Sequence, residues 1–262
     1  MWSALGQLVG GVILAMGPAC PAVGPPAASA HSAVLFLHAL GDTGEAASRW
    51  LKQSDAGGFV SQMERAGVRV IFPTATQIPY TLAGGRRMSA WYDRSGLPPT
   101  AAEHKPSVDA SVSRLEAMLI ELQREGIPPS RVAVGGFSQG GGISLQLAYR
   151  GSALGSALAG VFVLSSYACD DSPLWAALRT DPARRRPPLF QRHGTADAYI
   201  LPAWGQATAK RLSEEGVDVQ FSLEPRLAHS MGEAEIAALS EWLLDTLDAG
   251  ARPGVSSKAH GT

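Results

Sequence analysis

The chain has 262 residues, 45% of them hydrophobic and 17% charged, and its 22 Lys and Arg against 23 Asp and Glu leave a formal charge of −1. This is the composition of a globular protein, and α/β folds commonly use roughly 200–250 residues as a single domain around one large core. It lacks the basic footprint of nucleic-acid or anionic-membrane binding, and two cysteines, Cys20 and Cys169, without a CxxC or a Cys/His cluster argue against a zinc site or a disulfide framework.

Taken in chain order, residues 1–41 carry no Asp, Glu, Lys or Arg. Pro18, Pro21, Pro25 and Pro26 stop any helix by about residue 17, which leaves about 25 Å of helix and fewer than the ~20 apolar residues a membrane span needs. A secretory signal is the competing reading, with residues 8–15 as the apolar region and Ala28-Ser29-Ala30 as the cleavage site. Against it, the start carries no Lys or Arg, and cleavage there would leave the mature chain almost on its first core strand. The expected location is therefore cytoplasmic, with export the alternative if residues 1–30 are a signal.

Short apolar runs bounded by turn residues then predict buried strands at 34–37, 68–72, 132–134, 161–164, 189–191 and 217–223. Helical periodicity falls between them. It is clearest over 107–124, where Val108, Val112, Leu115, Met118, Leu119 and Leu122 recur every three or four residues, Ser107 is the expected cap, and Gly126 with Pro128-Pro129 ends the run. Further helices are expected at 139–149, 203–215 and 233–247. Strands alternating with helices imply an α/β fold, a mostly parallel central sheet covered on both faces. Residues 73–106 show no regular period, and so long a connection is expected to be a lid or binding loop. Residues 249–262 read as a loose tail.

The strand at 132–134 runs into Gly135-Gly136-Phe137-Ser138-Gln139-Gly140-Gly141, a G-x-S-x-G in the strand-turn-helix context that exposes a serine hydroxyl at the carboxyl edge of a sheet. Glycines at 136 and 140 are needed because a Cβ would collide with neighbouring backbone. Serine needs a base, and in this arrangement the chain order is Ser, then acid, then His. His229, in the loop after the last strand, occupies the place of the base. The acid is Asp197, after the fifth strand, in preference to Asp170 or Asp171 after the fourth, because its loop points toward that of His229. The oxyanion donors are the amides of Gln139 and of Leu40, the latter in the loop His38-Ala39-Leu40-Gly41-Asp42 after the first core strand. His38 and His193 read as structural, and Arg184-Arg185-Arg186 as a solvated loop.

These residues resemble the acyl-protein thioesterase, lysophospholipase and carboxylesterase group of α/β-hydrolases, over about residues 20–247. The motifs are Phe36-Leu37-His38-Ala39-Leu40-Gly41-Asp42 for FLHGLGD, Ala90-Trp91-Tyr92-Asp93 for SWFD, Gly135 to Gly141 for GGFSQGG, and Gln191-Arg192-His193-Gly194-Thr195-Ala196-Asp197 for QCHGxxD. Phe72-Pro73-Thr74-Ala75 and Gly84-Gly85 are most similar to the lysophospholipase-like branch. The resemblance implies an α/β-hydrolase domain over 18–248, preceded by an apolar extension at 1–17. It also implies the triad Ser138, Asp197 and His229, hydrolysis of thioesters on S-acylated proteins and of lysophospholipid or small carboxylic esters, and no metal or organic cofactor. Two departures stand out. Ala39 replaces a family glycine in the oxyanion loop, and Arg86-Arg87 stand where long-chain thioesterases are more apolar, which favours shorter acyl groups. The alternative is that Arg86 and Arg87 only face water while Leu82, Met88 and Trp91 line an acyl groove.

Overall fold

The computed structural model describes residues 20–53 and 58–251. The expected extension at 1–17 and all of the expected tail beyond 251 lie outside them. The strands are β1 (Ala22–Val23), β2 (Ser32–Leu37), β3 (Val68–Ile71), β4 (Gln77–Tyr80), β5 (Arg86–Ser89), β6 (Val132–Phe137), β7 (Gly160–Leu164), β8 (Leu189–Gly194) and β9 (Val219–Glu224). Seven of them form one sheet in the order β1-β3-β2-β6-β7-β8-β9. All neighbours in it are parallel except β1, which runs antiparallel to β3.

The helices are α1 (Gly44–Gln53), α2 (Phe59–Arg65), α3 (Lys105–Arg124), α4 (Gln139–Tyr149), α5 (Ala153–Ser156), α6 (Pro173–Thr180), α7 (Pro202–Glu214) and α8 (Glu233–Ala251). The two-residue period of the strands divides the core between the faces of the sheet. Leu35, Leu37, Val132, Val134, Val161 and Val163 pack with α3, α4 and α6 on one face. Val34, Phe36, Ala133, Phe162, Leu164 and Phe190 pack with α1, α2 and α8 on the other. Burial on both sides is why these strands read as unbroken apolar runs. Every residue of α4 is buried, so this helix lies inside the molecule behind the turn that precedes it.

The structure departs from expectation in three places. Residues 73–106 are not irregular throughout: β4 and β5 pair as an antiparallel hairpin, joined through a 3-10 turn at Thr81–Ala83. Ser107 does not cap α3. The helix begins at Lys105, and the Ser107 hydroxyl donates to the His104 carbonyl while accepting from the Asp93 amide. The arginine run is not simply solvated, because Arg185 donates to the carbonyls of Ser156 and Leu158, and Arg186 to those of Leu178 and Glu215. Carbonyls left over at the ends of α5, α6 and α7 are thus satisfied by side-chain donors. Among the described residues, no helix is long and apolar enough to cross a membrane.

Candidate active site

Strand β6 ends in a turn that holds Ser138 at φ 53° and ψ −121°, a conformation that strains any residue with a Cβ. Its amide donates to the Leu164 carbonyl at 2.8 Å, which ties the turn to the end of β7. The flanking glycines let β2 pass close by. A Cβ on Gly136 would lie 2.0 Å from the Leu37 carbonyl oxygen, and one on Gly140 would lie 2.1 Å from the same atom. The sequence of the turn therefore satisfies a packing requirement as well as a conformational one.

His229, in the loop after β9, places Nε2 3.0 Å from Ser138 Oγ and Nδ1 2.7 Å from Asp197 Oδ2. A carboxylate only accepts, so Nδ1–H donates to Asp197 and Nε2 is left to accept from the serine hydroxyl. The Asp197 side chain is fully buried, and its other oxygen accepts from the amides of Tyr199 and Ile200, both at 2.9 Å. The three residues read from the sequence are thus brought together in one hydrogen-bonded chain. The other acid candidates stand elsewhere: the Asp171 carboxylate accepts from the Glu103 amide, and the Asp170 amide donates to the Pro99 carbonyl.

The two further histidines brace the site. His193 is buried, its Nε2–H donates to the Ile200 carbonyl at 2.8 Å, and the same nitrogen lies 3.4 Å from Asp197 Oδ2. Burial lowers its pKa, against the raising effect of those contacts, so the ring is neutral. It supports from behind the turn that presents Asp197. His38 closes the other side. Its Nδ1–H donates to the Ala39 carbonyl at 2.6 Å, its Nε2 accepts from the Ala75 amide at 2.9 Å, and burial again lowers its pKa. The loop after β2, where the oxyanion donor Leu40 is expected, is further pinned by the Gly41 amide, which donates to the Ser89 carbonyl of β5.

Leu40, Ser138 and Gln139 share one cleft, and Tyr80, Arg94, Leu97, Ser166, Tyr167 and Ile200 complete its lining. Leu82, Met88 and Trp91 are not among these walls. Leu82 is 47% exposed on the hairpin turn. Trp91 is only 1% exposed and structural, with its indole N–H donating to the His38 carbonyl and its amide to Gln139 Oε1. The Met88 methyl sits against Gly41. Sequence reasoning missed Tyr80, Arg94 and Leu97 because they lie in the segment without a period. It also missed that the Gln139 side chain, by donating to the Tyr92 carbonyl at 2.8 Å, ties this segment to the nucleophile turn.

A mostly parallel sheet covered on both faces, with a strained serine between strand and helix at its carboxyl edge, defines an α/β-hydrolase. Residues 18–247 match the phospholipase/carboxylesterase family, and the chain belongs to it. It is 35% identical to lysophospholipase-like protein 1 of Mus musculus, over 83% of this chain and 88% of that one. It is 33% identical to acyl-protein thioesterase 1 of Yarrowia lipolytica, over 88% and 99% of the two chains. Among solved structures, Arabidopsis thaliana SOBER1 superposes with a TM-score of 0.70 at 28% identity, covering 82% of this chain and 99% of that one.

Proposed function

We propose that this chain is a serine hydrolase that cleaves carboxylic thioesters and esters through an acyl-enzyme on Ser138. The reading rests on one observation, the hydrogen-bonded chain from buried Asp197 through His229 to Ser138 in the wall of a cleft that Leu40 and Gln139 also line. Ser138 Oγ attacks the substrate carbonyl as His229 Nε2 takes its proton. Asp197 holds the imidazole in the required tautomer and stabilises the imidazolium that forms. The amides of Leu40 and Gln139 take the negative charge that develops on the carbonyl oxygen, a contribution of roughly 2.7–4 kcal/mol per donor. His229 then passes its proton to the departing thiolate or alkoxide. Water, activated by the same ring, releases the acid. These steps need only side chains, amides and water.

The relatives named acyl-protein thioesterase 1 and lysophospholipase-like protein 1 favour S-acylated proteins, lysophospholipids or small acyl esters as substrates, and Arg86 and Arg87 on the β4–β5 hairpin favour shorter acyl groups. A cytoplasmic location belongs with this function; a mature chain beginning near Ser32 would overturn it. An active-site serine probe is expected to label the wild-type protein and not Ser138→Ala, and labelling that persists in the variant would sink the assignment. Turnover of acetyl, octanoyl and palmitoyl thioesters beside the matching esters then ranks the substrates, with acetyl and octanoyl expected ahead of palmitoyl.

A further inference from the structure

Arg94 lines the same cleft as Ser138, yet it is only 8% exposed. Its Nη1 donates to the Tyr167 hydroxyl at 2.8 Å and its Nη2 to the Tyr92 hydroxyl at 2.6 Å, and the guanidinium stacks on both rings. The Tyr167 hydroxyl in turn donates to the Leu97 carbonyl. Burial pushes both phenols up against the pull of Arg94, Tyr167 to about 12, so neither neutralises the cation near neutral pH. No ion pair to Arg94 is found among the described residues. Glu103 pairs with Arg94 through the backbone, and its carboxyl feels the Arg94 charge, but burial raises its pKa to about 7 and it accepts from Gln146 rather than from Arg94.

A guanidinium carries five N–H donors and stays charged at any physiological pH. Two of these donors are committed to the tyrosines, and Nε is buried with no partner. A buried cation without a counter-ion is costly, and a cation held by two fixed acceptors is already oriented. An anion entering the cleft would compensate the charge and accept from the Nη protons that the tyrosines leave free, a pairing for which arginine is suited.

We propose that Arg94 forms an anion subsite of the cleft, so that the preferred substrates of Ser138 carry a carboxylate or phosphate close to the scissile carbonyl. This deepens the hydrolase reading and rests on it. The anion reaches Arg94 either from the far end of a short acyl group or from the leaving group. Tyr92 and Tyr167 are positioning residues that hold the guanidinium, and Leu97 supports Tyr167 through its carbonyl.

The test compares kcat/KM within two pairs of neutral and anionic substrates. The 4-methylumbelliferyl ester of valeric acid against the mono-ester of glutaric acid probes the acyl side. S-butyryl mercaptoacetamide against S-butyryl mercaptoacetate probes the leaving-group side. One anionic member is expected to exceed its neutral partner by roughly tenfold to a hundredfold, the range for a hydrogen bond to a charged group. Which pair responds names the source. In Arg94→Met that ratio falls to near one, whereas Arg94→Lys retains part of it. Parity within both pairs for the wild type overturns the subsite, and so does a preference that survives Arg94→Met. If loss of probe labelling shows that Arg94→Met has not folded, the wild-type ratios and Arg94→Lys decide. Neutral substrates turned over without an anionic preference remove the subsite alone, whereas no turnover of any substrate removes the hydrolase reading and the subsite with it.

Discussion

Glu235 stands at the third position of α8 and reaches back to accept from the Gly232 amide at 3.2 Å, half of a capping box. It is fully buried and its Oε1 has no partner. Burial raises its pKa from 4.5 to about 7, against the opposing hydrogen bond from Gly232. Between those values the folded state binds a proton that the unfolded chain has released. The contribution to stability is therefore fully present below 4.5 and is lost as pH rises through about 7. Glu103 shows the same direction for the same leading cause. Glu235→Gln keeps the acceptor and removes the titration, so urea unfolding should find it close to the wild type near about pH 5 and more stable by about 3 kcal/mol near about pH 8. A variant that is less stable at the higher pH would contradict the cause given. Such residues differ from the triad in how far they can be read in advance. Ser138, Asp197 and His229 each sit in a short motif at the end of a strand, and chain order assigned their candidate roles. Glu235 and Arg94 take their properties from what is folded over them, and no local spacing announces that.

The same contrast holds for elements. Strands β2, β6, β7 and β8 are legible because two-sided burial demands a continuous apolar run, and α3 because one face is buried. The β4–β5 hairpin was hidden: it holds Pro79 in a strand with a partner on one side only, and Arg86 and Arg87 are exposed, so it has neither alternation nor an apolar run. Helix α1 was equally quiet, since a large part of its buried contact comes from Gly44, Ala47 and Ser48. Two kinds of glycine follow from these settings. Gly84, in the hairpin turn at φ +65°, has open space where a Cβ would stand, so Gly84→Ala should cost about 1 kcal/mol from backbone strain alone. Gly136 has the Leu37 carbonyl in the way, and Gly136→Ala should lose at least about 3 kcal/mol, most of the soluble protein and all probe labelling. Thermal melting of the two variants separates conformational strain from collision, and equal losses would refute the distinction.

At the scale of the whole molecule, the fold class was legible from the alternation of strands and helices, whereas the fastening of its far side was not. Arg185 and Arg186 look like a charge run in the sequence, but they bind carbonyls that only the packed ends of α5, α6 and α7 bring within reach. The placement of the site has a consequence in time. Ser138 and His229 are 91 residues apart along the chain, and Asp197 precedes His229 by 32. Their meeting requires β7, β8 and β9 to stand beside β6, a set of pairings between parallel strands that are expected to close slowly. Refolding from urea, followed by the fluorescence of the six tryptophans and by samples quenched with the serine probe, should show labelling return only with the slowest fluorescence phase. Labelling ahead of that phase would mean that the serine becomes reactive before its partners arrive. On the expected course a labelled molecule is a finished one, and the probe that identifies the nucleophile also counts completed chains.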